Sequence, residues 1–273
     1  MAWRRFNLWV WLSLFGGLML CPDLTVQAGT RSPATSLQVA QATGASLSET
    51  LKTFDKDWDD RRHDPSVVKQ QQATLESLLK QHGEKYELTW RMSRQYWWLA
   101  DGEPEGPKME RLARTGWDWG LKAVKSNPNS VEGQLWTAVC IGQYSLAIGI
   151  LRALANGLES EFNKYLDKSI TLDRAYSGAA PLRTKGNYWM SLPWPKRDLE
   201  KAVKLLQEAL KIEPHGTRSR LYLAETFEKL GDKKAALAQL DQIIKARQNE
   251  VELGDYPRIL ARAQAMRNRL QEQ

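Results

Sequence analysis

The stretch TRSRLYLAETFEKLGDKKAALAQLDQIIKA, residues 217–246, decides the fold because it reads as two short helices with facing apolar stripes. Each helix carries three apolar residues at helical spacing, namely Leu223, Ala224 and Phe227 in the first and Ala236, Leu240 and Ile243 in the second. Gly231 can end the first helix because glycine tolerates a positive φ, and Asp232 can cap the second. The stretch therefore predicts a helical hairpin.

The same pattern recurs 34 residues earlier in the chain. The shift places Ala236 on Ala202, Leu240 on Leu206, Ile243 on Ala209 and Asp232 on Asp198. A period of 34 residues is that of the tetratricopeptide repeat (TPR), whose helical hairpins stack into a superhelix. Pro214 lies between the two units, where proline enforces a boundary because it cannot sit inside a helix.

Weaker copies of the unit extend toward the N-terminus. A shift of 86 residues sets Ala123, Pro128, Ala138 and Ile141 on Ala209, Pro214, Ala224 and Phe227. Four more helices are predicted over 51–58, 67–81, 84–99 and 109–125, and no alternating stretch is long enough for a strand. We therefore predict an all-α, TPR-like helical-hairpin superhelix of about four helix pairs over residues 46–273.

The stretch NYWMSLPWPKRD, residues 187–198, departs from the repeat length. When Asp198 is set on Asp232, Gly186 and Trp189 lie four residues too far from the turn to match Ala224 and Phe227. The prolines end one helix and delay the next. We predict an enlarged turn between the two helices of this unit.

The first 28 residues have the layout of a secretory signal peptide. Arg4 and Arg5 precede an apolar run over 6–20, which is shorter than the ~20 residues of a spanning helix. Val26 and Ala28 are small residues at the −3 and −1 positions of a cut, so cleavage after Ala28 and a periplasmic or otherwise exported protein are expected. Small polar residues over 29–45 predict a flexible linker.

A lipid anchor on Cys21 is the less favoured alternative, because Leu20 stands where lipoprotein processing needs a small residue. Cleavage after Ala28 would leave Cys140 without a disulfide partner in the chain. Its apolar neighbours predict a buried thiol.

Charge and motifs argue against several functional classes. The 39 basic and 32 acidic residues are interspersed, which is typical of solvated helix faces, so no nucleic-acid partner is expected. His63, His82 and His215 are far apart and lie near turns. No zinc-protease, serine-hydrolase, phosphate-loop or C-x-x-C motif occurs. We expect no catalytic residues, no metal and no cofactor.

Tryptophan supplies the candidate site. Nine of the twelve tryptophans lie outside the predicted signal peptide, and helix-on-helix packing of most of them is the simplest interpretation. Neighbours on a helix point about 100° apart, so Trp97 and Trp98 cannot both face one core. The residues predicted to form a partner or ligand groove are Trp97, Trp98, Trp136, Tyr144, Trp189 and Trp194.

The run over 175–241, together with NPNSVEGQLWTAVCIGQY at 127–144, resembles the TatT family, the TPR components of tripartite ATP-independent periplasmic (TRAP) transporters. The likeness covers most of residues 47–246. Its most specific part is the connection from the GAA of Gly178–Ala180 through Pro193 and Trp194 to Asp198.

The resemblance implies a periplasmic, usually lipid-anchored scaffold that binds the transporter's solute-binding P-component. It also implies a homotrimer around a central pore, with an apolar cavity for hydrophobic ligands. The alternatives are a general TPR adaptor for envelope or cell-wall assembly and, from another class, a hydrolase or small-molecule carrier.

The signal-peptide interpretation makes a direct prediction. The exported protein should begin at Gly29, because the cut follows the small pair Val26 and Ala28. Intact-mass and N-terminal peptide mass spectrometry of the exported protein would check this. An acylated Cys21 or an uncut N-terminus would contradict it.

Overall fold

The computed structural model describes residues 46–250 and 252–272, and within these ranges the chain is helical with no strand. The helices are α1 (Leu47–Arg61), α2 (Pro65–His82), α3 (Tyr86–Asp101), α4 (Pro107–Ser126), α5 (Val131–Ala147), α6 (Ile150–Ala155), α7 (Leu158–Leu172), α8 (Tyr176–Ser191), α9 (Leu199–Ile212), α10 (Thr217–Lys229), α11 (Lys233–Lys245) and α12 (Tyr256–Glu272). The all-α prediction is confirmed. The signal peptide, its cleavage site and the 29–45 linker lie outside the described residues.

The helices follow the repeat plan. Five pairs are formed by α1 and α2, α3 and α4, α5 and α7, α8 and α9, and α10 and α11, which is one pair more than expected. The short α6 is inserted in the third pair, and α12 packs against the last pair. Ala224, Ala236, Leu240 and Ile243 are fully buried in one cluster, so the stripes read from the sequence do face each other.

The predicted helix ends are confirmed at the repeat turns. Gly231, two residues after the end of α10, has φ +80°, and the Asp232 side chain accepts a hydrogen bond of 2.9 Å from the Ala235 N–H. Asp198 accepts a 2.8 Å bond from the Lys201 N–H at the start of α9. Seven residues (192–198) join α8 to α9, whereas three (230–232) join α10 to α11. The enlarged turn is therefore present, four residues longer than its counterpart.

Two glycines let paired helices approach closely. A Cβ at Gly120 would lie 2.4 Å from Thr137 Oγ1, where α4 meets α5. A Cβ at Gly186 would lie 2.7 Å from Leu206 Cγ, where α8 meets α9. Any larger residue would force these helices apart, so glycine at both positions follows from packing.

Cys140 and the three histidines lie where the sequence predicts them. Cys140 is a buried free thiol, and burial raises its pKa to about 12, so it stays protonated near neutral pH. All three histidines are exposed and lie at helix ends or turns. No described helix is both long and apolar enough to cross a membrane. The described residues contain no cluster of side chains suited to hold a metal ion.

A buried ion network joins the last repeat to the first helices. Arg218 of α10 binds Asp255 through two hydrogen bonds of 2.8 and 2.7 Å, and Asp101 at the end of α3 through two of 3.2 and 3.0 Å. Arg258 of α12 also binds Asp101, at 3.1 Å. The side chains of Arg218, Asp101 and Asp255 are 5%, 8% and 4% exposed. We call these four residues the closing network.

The backbone beside the closing network makes a second connection. The Gly254 N–H donates a 2.7 Å hydrogen bond to the Asp59 carbonyl at the end of α1, and Arg62 pairs with Glu252. A Cβ at Gly254 would lie 2.4 Å from the Asp59 oxygen, so glycine is required there. The superhelix is thus closed: the segment before α12 contacts the end of α1.

Arg218 determines the protonation of its two partners. Burial alone would raise the pKa of Asp255 and of Asp101, but the Arg218 guanidinium outweighs it and lowers the pKa of both carboxyls. A carboxyl with a lowered pKa stabilises the fold at every pH above its unfolded pKa of about 3.9, and this contribution is lost as pH falls below that value. The network is therefore fully charged across the neutral range.

We predict that Arg218→Met lowers the free energy of unfolding by about 3–5 kcal/mol at pH 7, because it leaves buried carboxylates without their main partner. Burial then raises the pKa of Asp255, so the variant gains stability as pH falls and the deficit narrows from pH 7 to pH 5. Urea denaturation at both pH values measures this.

The matched control is Arg174→Met, because Arg174 is half exposed and pairs with an exposed carboxylate, Glu208. That change should alter the free energy of unfolding by less than about 1 kcal/mol. An equal loss of unfolding free energy in both variants would show that the closing network does not hold the ends together. A loss in Arg218→Met that is the same at pH 7 and pH 5 would show this too.

Candidate functional site: a two-sided chamber

The concave side of the closed superhelix contains a half-open chamber. It is bounded by α5, α6 and α7 on one side and by α8 on the other, with Trp97 of α3 and Arg218 and Tyr222 of α10 completing its lining. The space between these walls, including the part open to solvent, is about 970 Å³. Because this figure includes open solvent, it is an upper bound on the space that a ligand could fill.

One wall of the chamber is apolar. It consists of side chains from α5, α6 and α7, namely Trp136, Val139, Leu146, Leu154, Leu158 and Phe162. Trp136 and Phe162 are 6% and 7% exposed, so both rings are held firmly by the surrounding core. Tryptophan and phenylalanine held in this way give a rigid surface that binds apolar groups with little loss of entropy.

The opposite wall carries a polar stripe, which we define as Arg183, Thr184, Asn187 and Ser191 of α8. Residues three, four, seven and eight apart lie on one face of a helix, so the sequence LRTKGNYWMS brings all four to the chamber. The side chains of Thr184, Asn187 and Ser191 make no hydrogen bond to any other described residue. Their donors and acceptors are available to a ligand.

Arg183 is the charged member of the polar stripe, and a local turn fixes it. Ser177, Gly178 and Ala179 all have φ between +50° and +62°, a left-handed turn that only glycine adopts without cost. This turn presents the Gly178 carbonyl to Arg183, whose Nη1 donates a 3.1 Å hydrogen bond to it. Burial lowers the pKa of Arg183, yet the side chain forms no ion pair with any described carboxylate. The carboxylates of Glu252 and Asp255 act on its charge without a direct ion pair.

The other charged groups in the chamber are already paired. Glu159 accepts a hydrogen bond of 2.7 Å from the Tyr188 hydroxyl and pairs with Lys196, and these bonds lower the pKa of the carboxyl. Burial, together with the nearby Glu159, raises the pKa of Tyr188 to about 12, so the phenol stays protonated. Arg218 is neutralised by the closing network. Arg183 therefore sets the net charge of the chamber.

The lining offers groups that can bind a ligand. Among the described residues around the chamber, Glu159 is the single carboxylate, and there is no histidine and no cysteine. The chamber can hold an apolar group on one side, hydrogen-bond a polar one on the other, and accept an anion at Arg183.

The structure separates the six residues named from the sequence. Trp97 and Trp136 line the chamber with ring centroids 5.1 Å apart. Trp98 is 2% exposed and packs in the core against Trp58, so the two neighbouring tryptophans face different environments. Tyr144 packs on Trp117 outside the chamber lining.

The last two residues lie at the enlarged turn. Trp189 is half-buried beneath Lys201, whose Nζ is 3.8 Å from the ring centroid. Trp194 is 86% exposed between two prolines, and the Trp194–Pro195 peptide is cis. Neither belongs to the chamber lining, although Ser191, the last residue of α8, and Leu192, the first residue of the turn, do.

The polar stripe was missed because sequence reasoning concentrated on aromatic residues. A usable signal was present: α8 should bury one face as the first helix of a pair, yet Arg183, Asn187 and Ser191 place polar groups on that helix at four-residue spacing. Polar residues along the inner helix of a hairpin repeat indicate a lined cavity.

Comparison with known proteins defines the family. Residues 56–270 match the family described as regulator of microtubule dynamics protein 1-3. The chain belongs to this family. No curated protein matches the chain in sequence.

One solved structure supports the fold. A thermophilic TPR protein of Thermus thermophilus superposes with a TM-score of 0.55 at 18% identity, over 72% of this chain and 92% of that one. The APC/C hetero-tetramer Cut9–Hcn1 matches at 14% identity over 85% of this chain and 45% of that one. Its TM-score of 0.36 is too low to indicate a shared fold. The TPR-type superhelix is thus established, whereas membership of the TatT family stays a prediction.

Trp98 is the most buried of these tryptophans and Trp194 the most exposed, so their replacement should affect stability very differently. Trp98→Ala should lower the free energy of unfolding by about 3–5 kcal/mol, because it empties a fully packed core site. Trp194→Ala should change it by less than about 0.5 kcal/mol, since the ring is solvated. Chemical denaturation followed by circular dichroism measures both. Similar values for the two variants would contradict the assignment of Trp98 to the core.

Proposed function

We propose that this protein is a non-enzymatic TPR-type scaffold that docks a partner protein, with the chamber receiving an apolar segment of the partner. The observation that carries the proposal is the pairing of a rigid apolar wall with a polar stripe whose hydrogen-bonding groups are unused. Superhelical repeats generally bind on their concave surface, which is where the chamber lies. The lining of the chamber also contains no histidine or cysteine among the described residues, which is compatible with a docking role.

For the identity of the partner, we propose the solute-binding P-component of a TRAP-type uptake system. The support is the sequence resemblance to the TatT family, which is strongest through the enlarged turn before Asp198, and the predicted export signal. In this role the protein would be periplasmic, could assemble as a homotrimer, and could pass a hydrophobic ligand through the chamber. Soluble residence follows from cleavage after Ala28, with acylation of Cys21 as the alternative.

A general adaptor for envelope or cell-wall assembly is the second candidate, with the same fold and a different partner. The fold supports this candidate as well as the first, because a TPR superhelix is compatible with many partners. The family description refers to microtubule dynamics, so tubulin is a further protein to include in a binding test.

The proposal predicts that filling the chamber abolishes partner recovery. Asn187→Trp places a large ring into the chamber from a half-buried side chain that bonds to no other described residue. After cross-linking in cells and affinity purification, we expect mass spectrometry to recover a solute-binding protein with the wild type. Recovery should fall at least about tenfold with the variant, as expected when a central contact site is blocked.

Lys211→Trp is the matched control, because Lys211 is exposed on α9 away from the chamber and the added ring stays in solvent. It should leave recovery unchanged. If the wild type recovers cell-wall proteins and Asn187→Trp does not, the role as an adaptor for cell-wall assembly would be favoured. Recovery that Asn187→Trp does not affect would remove the chamber from the docking surface.

A further inference from the structure

We propose that one edge of the superhelix binds the surface of an anionic lipid bilayer, with Trp194 as its central contact. The edge consists of the connections inside the last three helix pairs, residues 148–157, 192–198 and 230–232, and we call it the turn edge. The contact residues lie outside the chamber lining, so the inference goes beyond the docking function and does not depend on it.

The three connections are neighbours in the fold. Lys196 of the second connection pairs with Glu159, the second residue of α7, which begins directly after the first connection. The Thr226 hydroxyl in the last turn of α10 lies 3.2 Å from the Met190 sulfur in the last turn of α8. These contacts bring the second connection beside both of the others, as expected of stacked hairpins.

The turn edge gathers exposed apolar side chains. Among the described residues four large apolar side chains are exposed, and three of them lie on this edge, one in each connection: Leu151 at 70%, Trp194 at 86% and Leu230 at 46%. The fourth, Ile212, ends α9 at the opposite edge. Scattered apolar residues are ordinary on a protein surface, but one in each of three neighbouring connections indicates a surface that is covered in use.

Basic residues surround these apolar side chains. Residues 148–157, 192–201 and 228–234 contain seven basic and four acidic residues. Asp198 and Asp232 cap helices and Glu228 pairs with Arg269, so Glu200 is the acidic residue with neither role. Six basic side chains are exposed and form no ion pair with any described carboxylate, namely Arg152, Arg197, Lys201, Lys229, Lys233 and Lys234. The edge is therefore complementary in charge to anionic lipid head groups.

The residue types favour a bilayer over a protein partner. Five of the seven basic residues are lysine, which is depleted in protein–protein interfaces but attracted to anionic bilayer surfaces. Tryptophan is enriched where lipid head groups meet acyl chains, because its ring is apolar and its N–H is polar. Lysine and arginine side chains are long enough to reach the phosphates beside an inserted apolar group.

The enlarged turn holds Trp194 in an outward position. Prolines at 193 and 195 restrict the backbone on both sides of the ring. Arg197 closes the turn, because its N–H donates a 3.1 Å hydrogen bond to the Pro193 carbonyl and its Nε donates one of 2.8 Å to the Leu192 carbonyl. Leu192 is 1% exposed and anchors the turn in the core. A bilayer can therefore receive the ring with little loss of chain entropy.

Co-sedimentation of the exported protein with lipid vesicles tests the proposal. One set of vesicles is phosphatidylcholine alone, and the other contains about one third phosphatidylglycerol, which is anionic. We expect binding to the mixed vesicles to be at least about tenfold tighter and to weaken as salt rises. Brominated acyl chains should quench a part of the tryptophan emission that Trp194→Ala lacks, because every other described tryptophan is buried or half-buried.

The apolar contact is tested by one variant and a matched control. Trp194→Ala should weaken binding to the mixed vesicles at least about tenfold, because burial of the ring is lost. Ile212→Ala also removes an exposed apolar side chain, but from the opposite edge, and should leave binding unchanged. Circular dichroism melting of each variant separates a binding defect from a folding defect.

The charge is tested by two double variants. Lys233→Glu with Lys234→Glu should weaken binding at least about tenfold, because both residues flank Leu230 on the turn edge. Lys168→Glu with Lys211→Glu changes the net charge equally at exposed positions of α7 and α9 toward the opposite edge. This control should weaken binding less than about threefold, since its charges are screened from the bilayer.

Several outcomes would overturn the proposal: no preference for the mixed vesicles, equal losses in Trp194→Ala and Ile212→Ala, or equal losses in the two double variants. A sedimentation coefficient that depends on Trp194 without vesicles would assign the edge to a second copy of the chain instead. Asn187→Trp fills the chamber and should leave vesicle binding unchanged. Loss of vesicle binding in that variant would place the lipid in the chamber and sink this inference, whereas loss of partner recovery alone supports docking and leaves the turn edge unaffected.

Discussion

The two bidentate contacts of Arg218, to Asp255 and to Asp101, are the constraint on which the rest of the structure depends. A stack of helical hairpins is ordinarily an open superhelix in which each unit touches only its neighbours. Here one guanidinium holds the end of α3 and the segment before α12 together. Without that connection the two segments would be free to separate, and Arg218, which also lines the chamber, would lose its fixed position.

The neighbours Trp97 and Trp98 link the closing network to the chamber. Arg258 lies over the Trp98 ring, with its guanidinium carbon 3.5 Å from the ring centroid, and Arg218 lies 5.3 Å from that of Trp97. One ring is therefore part of the core beneath the network, while the other faces the chamber. Cation–π contacts of this kind are strengthened by burial, so the arginines stabilise the aromatic cluster as well as their carboxylates.

Local features of this protein could be predicted from its sequence, and contacts between distant segments could not. The 34-residue period, the caps at Asp198 and Asp232, the left-handed Gly231 and the enlarged turn follow from residue type and spacing, and the structure contains all of them. The chamber depends on closure, through pairs such as Arg62 and Glu252 that are 190 residues apart. Nothing near either residue identifies its partner. Arg183 likewise becomes notable only because the acidic groups around it are bound elsewhere.

The closure of the superhelix also limits how many hairpins the chain can contain. Open solenoids tolerate the gain or loss of a hairpin because each new unit needs only a neighbour to stack on. In this chain a hairpin added or deleted between α3 and α10 would displace Asp101 from Arg218 and the Gly254 N–H from the Asp59 carbonyl. The contacts that close the superhelix therefore fix the number of hairpins between α3 and α10.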